Sequence, residues 1–316
     1  MRIVNHSCPH GLVPGPYHEA GEYTWEDHQQ EHRWLLDVET TALRADHVVL
    51  PTEAITYPRN GFTFDKLRWL ASEVRARGAR PAVWIDKWLY SRTLMDVLAW
   101  VRKAVKATQD LEPVLNLGQE LDLLWLLHPG VERRHVLQNL VLAREEALAL
   151  GMPLRDVWAG GATVEGTVEI DEVVAPGVLT WTGYRATERG IPSGRHGVTT
   201  AVIHDLAQIQ AGRTRPGPLA AVEIGWSSQN VSQGHEALFL SEEERRDLSP
   251  EGRRQMVQAR ILREQLIGVR EAGAAPGLWT GASWTHDTRN LAESGYGVLD
   301  PEGAPKLALE TWAKLV

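Results

Sequence analysis

Leu219-Ala220-Ala221-Val222-Glu223-Ile224-Gly225-Trp226 is an apolar run interrupted by one carboxylate, and Leu115-Asn116-Leu117-Gly118-Gln119-Glu120 has the same form earlier in the chain. Continuous short apolar runs mark strands covered on both faces, as in a parallel sheet. Each apolar run leads into a glutamate, Glu223 in the first and Glu120 in the second. A carboxylate is costly to take out of water at the end of a buried strand, so two of them in matching positions call for a reason.

Working outward from these runs, the chain alternates strand and helix. Strands are expected at 2–7, 46–51, 81–86, 113–118, 156–159, 178–182, 219–224 and 277–284. Helices are expected at 25–44, 64–77, 93–107, 131–150, 198–211, 250–272 and 305–315, with a weak helical signal at 169–174. In the third of these helices Leu94, Val97, Leu98, Val101 and Val105 form one apolar stripe at helical spacing. Ser249 followed by Pro250 and Glu251 is a helix start, with the cap, the first-turn proline and the first-turn acid in order. Consecutive parallel strands need such helical crossovers. Eight of them in 316 residues point to an α/β chain folded as one closed (β/α)₈ TIM barrel over residues 1–316. A doubly wound open sheet fits less well, because Cys8-Pro9-His10-Gly11 is not the glycine-rich phosphate turn expected after its first strand.

The net charge of −8 argues against a nucleic-acid partner held through phosphates. The longest apolar stretches fall short of a membrane span, so no membrane partner is expected. The lone Cys8 excludes an internal disulfide and fits a reducing compartment. The expected location is therefore cytoplasmic, or secreted if a leader has been removed. Thirteen tryptophans against three phenylalanines offer flat apolar faces with an N–H donor, suited either to a bulky core or to stacking on sugar rings.

In a barrel of this kind the chemistry lies at the carboxyl ends of the strands. Glu120 ends the fourth strand and Glu223 the seventh. Two carboxyl groups facing one pocket are the equipment for glycosidic hydrolysis: one, protonated, donates to the departing oxygen, and the other attacks the sugar carbon or activates water. Their separation sets the outcome, about 5–5.5 Å for retention and about 6.5–9.5 Å for inversion.

The fourth-strand run ending in Gln119-Glu120 resembles that of retaining glycoside hydrolases of the large (β/α)₈ clan, which includes cellulases, mannanases, β-galactosidases and endo-galactanases. Val222-Glu223-Ile224-Gly225-Trp226 is similar to the clan's nucleophile segment, and Trp279-Thr280-Gly281-Ala282-Ser283-Trp284-Thr285-His286-Asp287 to its eighth-strand tryptophan segment. The stretch from Tyr296 to Lys306 looks like its closing segment. The resemblance implies a carbohydrate substrate, no cofactor, Glu120 as acid/base and Glu223 as nucleophile. It further implies Tyr184 as a hydroxyl partner of the nucleophile and Trp284 as the platform under the sugar. Gln119 stands where the clan usually has asparagine, and its amide can make the same kind of contact on a longer stem. The clan's strand-two arginine is missing from Val48-Val49-Leu50-Pro51-Thr52-Glu53, and Arg59 or Lys87 is a candidate substitute.

Asp86 and Trp88 follow the third strand and are candidate substrate contacts, as are His6 after the first strand, Trp226 after the seventh and His286 beside Trp284. His6, Cys8 and His10 alternate as one strand face would, but strands five and six end in Trp158-Ala159-Gly160 and Trp181-Thr182-Gly183, without the histidines of metal-dependent barrel hydrolases. No metal is therefore expected. The charged run Ser241–Asp247 reads as a solvated segment, and 227–248 as a long loop shaping the cleft. The expectation is a retaining β-glycoside hydrolase. The alternatives are a carbohydrate-binding barrel without turnover and a metal-dependent barrel hydrolase.

Overall fold

The computed structural model describes residues 1–6, 25–52, 63–183, 197–226, 228–279, 297–299 and 304–316. Its eight described strands are β1 (Ile3–Asn5), β2 (His47–Pro51), β3 (Arg80–Trp84), β4 (Val114–Asn116), β5 (Val157–Gly161), β6 (Val178–Thr182), β7 (Leu219–Glu223) and β8 (Ala275–Trp279). All pair in parallel, each with its sequence neighbours, and β8 pairs with β1 to close the barrel. The (β/α)₈ expectation is met.

Alternate residues on each strand enter two different cores. Ile3, Val49, Ala82, Trp84, Val114, Trp158, Val178, Ala220 and Val222 pack together inside the barrel. Their chain neighbours, among them Val4, Val48, Leu50, Val83, Leu115, Val157, Leu179 and Ala221, pack outward against the helices. Period-2 alternation thus fills the interior with bulky side chains and makes a solid core rather than a pore.

The described helices are α1 (Trp25–Asp37), α2 (Phe64–Ala76), α3 (Leu94–Thr108), α4 (Leu123–Leu127), α5 (Arg133–Ala149), α6 (Val164–Val174), α7 (Gly197–Gly212), α8 (Gln233–Phe239), α9 (Glu242–Asp247), α10 (Pro250–Glu271) and α11 (Leu307–Leu315). Val97, Val101 and Val105 of α3 are buried as their spacing requires, whereas Leu94 and Leu98 of the same expected stripe are not fully covered. Ser249 caps α10 by accepting from the Gly252 N–H.

Four expectations are corrected. The first helix stops at Asp37 and continues as a π-helical turn, Val38–Ala42, closed by the Leu43 N–H on the Val38 carbonyl. That turn buries Glu39. The weak signal at 169–174 is the end of a full helix, α6, capped by Thr163. The segment 227–248 is largely helical: α8 and α9 each open on a capping box, Ser232 with His235 and Ser241 with Glu244. Strand eight begins at Ala275 rather than Gly277, because Ala275 and Pro276 pair with Ala220 and Ala221 of β7.

Candidate active site at the carboxyl ends of the strands

Glu120 follows β4 on a segment stitched to β5. The Leu117 N–H donates to the Trp158 carbonyl at 2.7 Å, the Gly160 N–H to the Gly118 carbonyl at 3.2 Å, and the Leu121 N–H to the Gly160 carbonyl at 3.3 Å. Within this segment Gly118 has φ +148° and Glu120 has φ +52°. The first conformation favours glycine. The second is strained for a residue with a side chain, and such strain is kept where the surroundings enforce it. Asp122, two residues on and fully buried, anchors the same segment. Its Oδ1 accepts from the Ala162 N–H at 2.7 Å, and its Oδ2 accepts from the Thr163 N–H at 2.8 Å and the Thr163 hydroxyl at 2.6 Å. The loop carrying Glu120 is thereby tied to the start of α6.

The Glu120 side chain is 25% exposed and accepts a hydrogen bond from Lys87 Nζ at 2.9 Å. Lys87 opens the 3₁₀ turn Lys87–Ser91, which Asp86 caps through Oδ1 on the Trp88 N–H. Asp86 therefore shapes the turn that presents Lys87. Lys87, considered above as a replacement for an arginine near the nucleophile, is a partner of Glu120. Trp88 is half-buried and meets the His128 ring edge-on, with centroids 4.5 Å apart. Gln119 is 1% exposed, and neither its amide nitrogen nor its amide oxygen has a hydrogen-bond partner among the described residues. A buried amide in that state is poised to receive a ligand or water.

Glu223 is the last residue of β7 and is 4% exposed. Its orientation follows from a fault in the ladder. Thr180 pairs with Ala220 and Trp181 with Ala221, but Thr182 pairs with Glu223, so Val222 is an extra residue. Val222 packs in the interior and Ile224 in the outer core. Regular alternation from Ala220 would turn position 223 outward. The bulge instead places Glu223 in register with Thr182, which follows the outward Trp181 and so lies on the interior side.

The other candidates divide. His6 is fully buried, with Nδ1 at 2.9 Å from Glu39 Oε1 and Nε2 at 2.8 Å from His32 Nδ1. Val4, two residues before it, belongs to the outer core. The expected substrate contact at His6 is thus replaced by a Glu39–His6–His32 chain on the helix side of β1, with both ring nitrogens engaged. Trp226 packs among Val198, Phe239, Leu240, Val257 and Ile261, 5.0 Å from the His235 ring, and serves that satellite core. Tyr184, Trp284, His286, Arg59, Cys8 and His10 lie outside the described residues. Among the described residues no three His, Cys, Asp or Glu side chains are grouped to hold a metal ion, and no helix is long and apolar enough to cross a membrane.

Sequence reasoning missed Asp122, Glu39 and His32. Each acts through a partner distant in the chain, for which the sequence carries no local signal.

No protein-family model matches the chain, and no curated protein sequence matches it. Solved structures share its fold. A GH5_18 protein from Streptomyces cattleya, in complex with GlcNAc, is 15% identical with a TM-score of 0.68, over 99% of this chain and 79% of that one. A GH5_18 glutamate-to-alanine variant from Bifidobacterium longum subsp. longum, in complex with Manβ1-4GlcNAc, is 14% identical with a TM-score of 0.66, over 100% and 77%. A glycoside hydrolase family 17 β-1,3-glucanosyltransferase from Rhizomucor miehei is 15% identical with a TM-score of 0.58, over 88% and 89%. At these identities the likeness is one of fold: a (β/α)₈ barrel of the kind on which glycoside hydrolases are built.

Proposed function

We propose that this chain is a retaining glycoside hydrolase acting on a β-linked saccharide, with Glu223 as nucleophile and Glu120 as acid/base. The supporting observation is the pair of glutamates at the carboxyl ends of β4 and β7, each set by a local departure from regular backbone: a positive φ at Glu120 and a bulge before Glu223. Proteins spend stability on such departures chiefly where a side chain must be aimed.

In the first step a Glu223 carboxylate oxygen bonds to the anomeric carbon as the bond to the departing oxygen breaks, and Glu120 gives that oxygen its proton. In the second, Glu120 takes a proton from water, the water oxygen bonds to the anomeric carbon, and the Glu223 carboxylate leaves. Gln119, whose buried amide has no hydrogen-bond partner among the described residues, binds a sugar hydroxyl. Lys87 holds the Glu120 carboxylate in place between the two steps. The GH5_18 neighbours captured with Manβ1-4GlcNAc make this disaccharide and aryl β-mannosides the first substrates to try, followed by β-glucosides and β-galactosides.

The test is hydrolysis of that panel by the parent and by Glu223→Gln. The parent releases product with net retention by proton NMR, and the variant loses roughly a thousandfold or more in turnover while keeping its fold. Turnover near the parent's in Glu223→Gln refutes the mechanism. A second reading, a carbohydrate-binding barrel without turnover, draws on the Lys87–Glu120 ion pair, which occupies the carboxylate that has to deliver a proton. Tryptophan fluorescence that responds to sugars, with no hydrolysis of any substrate, would favour it.

A further inference from the structure

We propose that Asn5, on the strand farthest in sequence from β7, is a positioning residue for Glu223, and that Gly277 completes the device. The inference rests on Glu223 being the nucleophile. The bulge at Val222 puts an extra peptide into β7, and the carbonyl of that peptide falls out of the regular ladder. A buried carbonyl without a donor is destabilising, so a bulge inside a barrel persists only if something answers it.

Asn5 answers it from β1, although β8 lies between the two strands. Its Nδ2 donates to the Val222 carbonyl at 2.7 Å and to the Leu278 carbonyl of β8 at 3.2 Å, and the side chain is fully buried. One amide thus ties the bulge to two strands at the level of Glu223. From β8, the Gly277 carbonyl accepts the Ile224 N–H at 3.0 Å, just past the glutamate. A Cβ at Gly277 would lie 2.4 Å from the Val222 oxygen and 2.7 Å from the Val222 carbonyl carbon. The bulged peptide therefore occupies the space that any larger residue at 277 would fill.

Loss of the Asn5 donor favours the unbulged ladder, and because side chains alternate, a slip of one residue carries position 223 from the interior to the outer layer. The effect falls on the chemical step more than on folding. Neither group touches the reacting atoms.

The experiment compares the parent with Asn5→Leu, Gly277→Ala and a stability control, Val101→Ala, on α3 in the outer core. The readout is the rate of covalent inactivation by a 2,4-dinitrophenyl 2-deoxy-2-fluoro-β-glycoside of the sugar that the parent cleaves, alongside its binding constant and the melting temperature. The parent is expected to be labelled on Glu223. Asn5→Leu and Gly277→Ala are expected to lose at least about thirtyfold in the inactivation rate with binding little changed, and Val101→Ala to lose melting temperature but not rate. Should Asn5→Leu fail to fold, Gly277→Ala reads the same bulge from the other side. Labelling of the parent at Glu223 combined with rates within threefold of the parent in the folded variants overturns the positioning role alone. So does a loss in Val101→Ala as large as theirs. Absence of any label on Glu223 in a parent that turns over substrate overturns the nucleophile assignment, and this inference with it.

Discussion

Replacing Asp122 with alanine takes away one carboxylate and strands three donors. The Ala162 N–H, the Thr163 N–H and the Thr163 hydroxyl all point at it, at 2.7, 2.8 and 2.6 Å. The hydroxyl can rotate to another acceptor; the two backbone groups cannot. Each stranded donor costs about 1–3 kcal/mol, and the lost bonds are charge-assisted, so the total is about 3–5 kcal/mol. For 316 residues, an unfolding entropy of about 2.1 cal/mol/K per residue converts this to a fall in melting temperature of roughly 5–8 °C. Asp122→Asn keeps the volume but turns an amide N–H toward one donor, and about half that loss is expected. The consequence for activity is separate. Asp122 holds the loop on which Glu120 adopts φ +52°, so the alanine variant that remains folded at 25 °C is expected to lose about a hundredfold in kcat through misplacement of the acid/base. Thermal unfolding by circular dichroism and aryl glycoside kinetics give both numbers. A melting temperature within about 1 °C of the parent, or a full loss of stability with unchanged kcat, refutes the reasoning that one carboxylate supports both the fold and the site.

Further expectations concern proton transfer and pH. Glu120→Gln is expected to lose roughly a thousandfold on substrates whose leaving group needs a proton, and about tenfold or less in forming the intermediate from dinitrophenyl glycosides, whose leaving group does not; an equal loss on both classes contradicts the acid role. Lys87→Met keeps the stem and removes the ammonium that holds Glu120, and about a tenfold loss in kcat with KM little changed is expected, whereas an unchanged kcat removes Lys87 from the mechanism. Burial, reinforced by the charge of Arg80, pushes His47 down to about 4 from 6.5. Folded His47 is therefore neutral where the unfolded chain takes up a proton, so the stability it contributes is complete above pH 6.5 and is lost as pH falls from 6.5 toward 4, about 3 kcal/mol in all. Urea unfolding at pH 7 and pH 4.5 is expected to show a smaller pH dependence in His47→Gln than in the parent; an equal dependence contradicts it.

The barrel was legible in the sequence because buried parallel strands leave a plain mark: short apolar runs such as Val178–Thr182, whose observed bounds match the expected ones, separated by helices with amphipathic stripes. Both glutamates were legible for the same reason, as charges ending such runs. The errors came where local signals and tertiary pairing disagree. Pro276 reads as a strand breaker just before the expected start at Gly277, yet it lies inside β8, where β7 supplies the pairing. Ser232 and Ser241 carry helix-start signals within a segment whose polar composition reads as loop, and α8 and α9 open on them. The bulge at Val222 has no sequence mark at all: Ala220-Ala221-Val222-Glu223-Ile224 reads as an unbroken strand, and only the partner strand reveals the extra residue. The supports of the site share that property. Asn5 acts 217 positions away in the chain and Asp122 about forty. His6 engages Glu39 and His32 on the helix side because one strand position more or less decides whether a side chain faces the barrel interior or the helices.

The most direct test of the account is to trap the glycosyl-enzyme with a 2-deoxy-2-fluoro-β-glycoside, digest it, and locate the added mass by tandem mass spectrometry. The expected result is one label per chain, on Glu223, absent from Glu223→Gln. A label on another residue, or turnover with retention in a parent that never carries a label at Glu223, contradicts it.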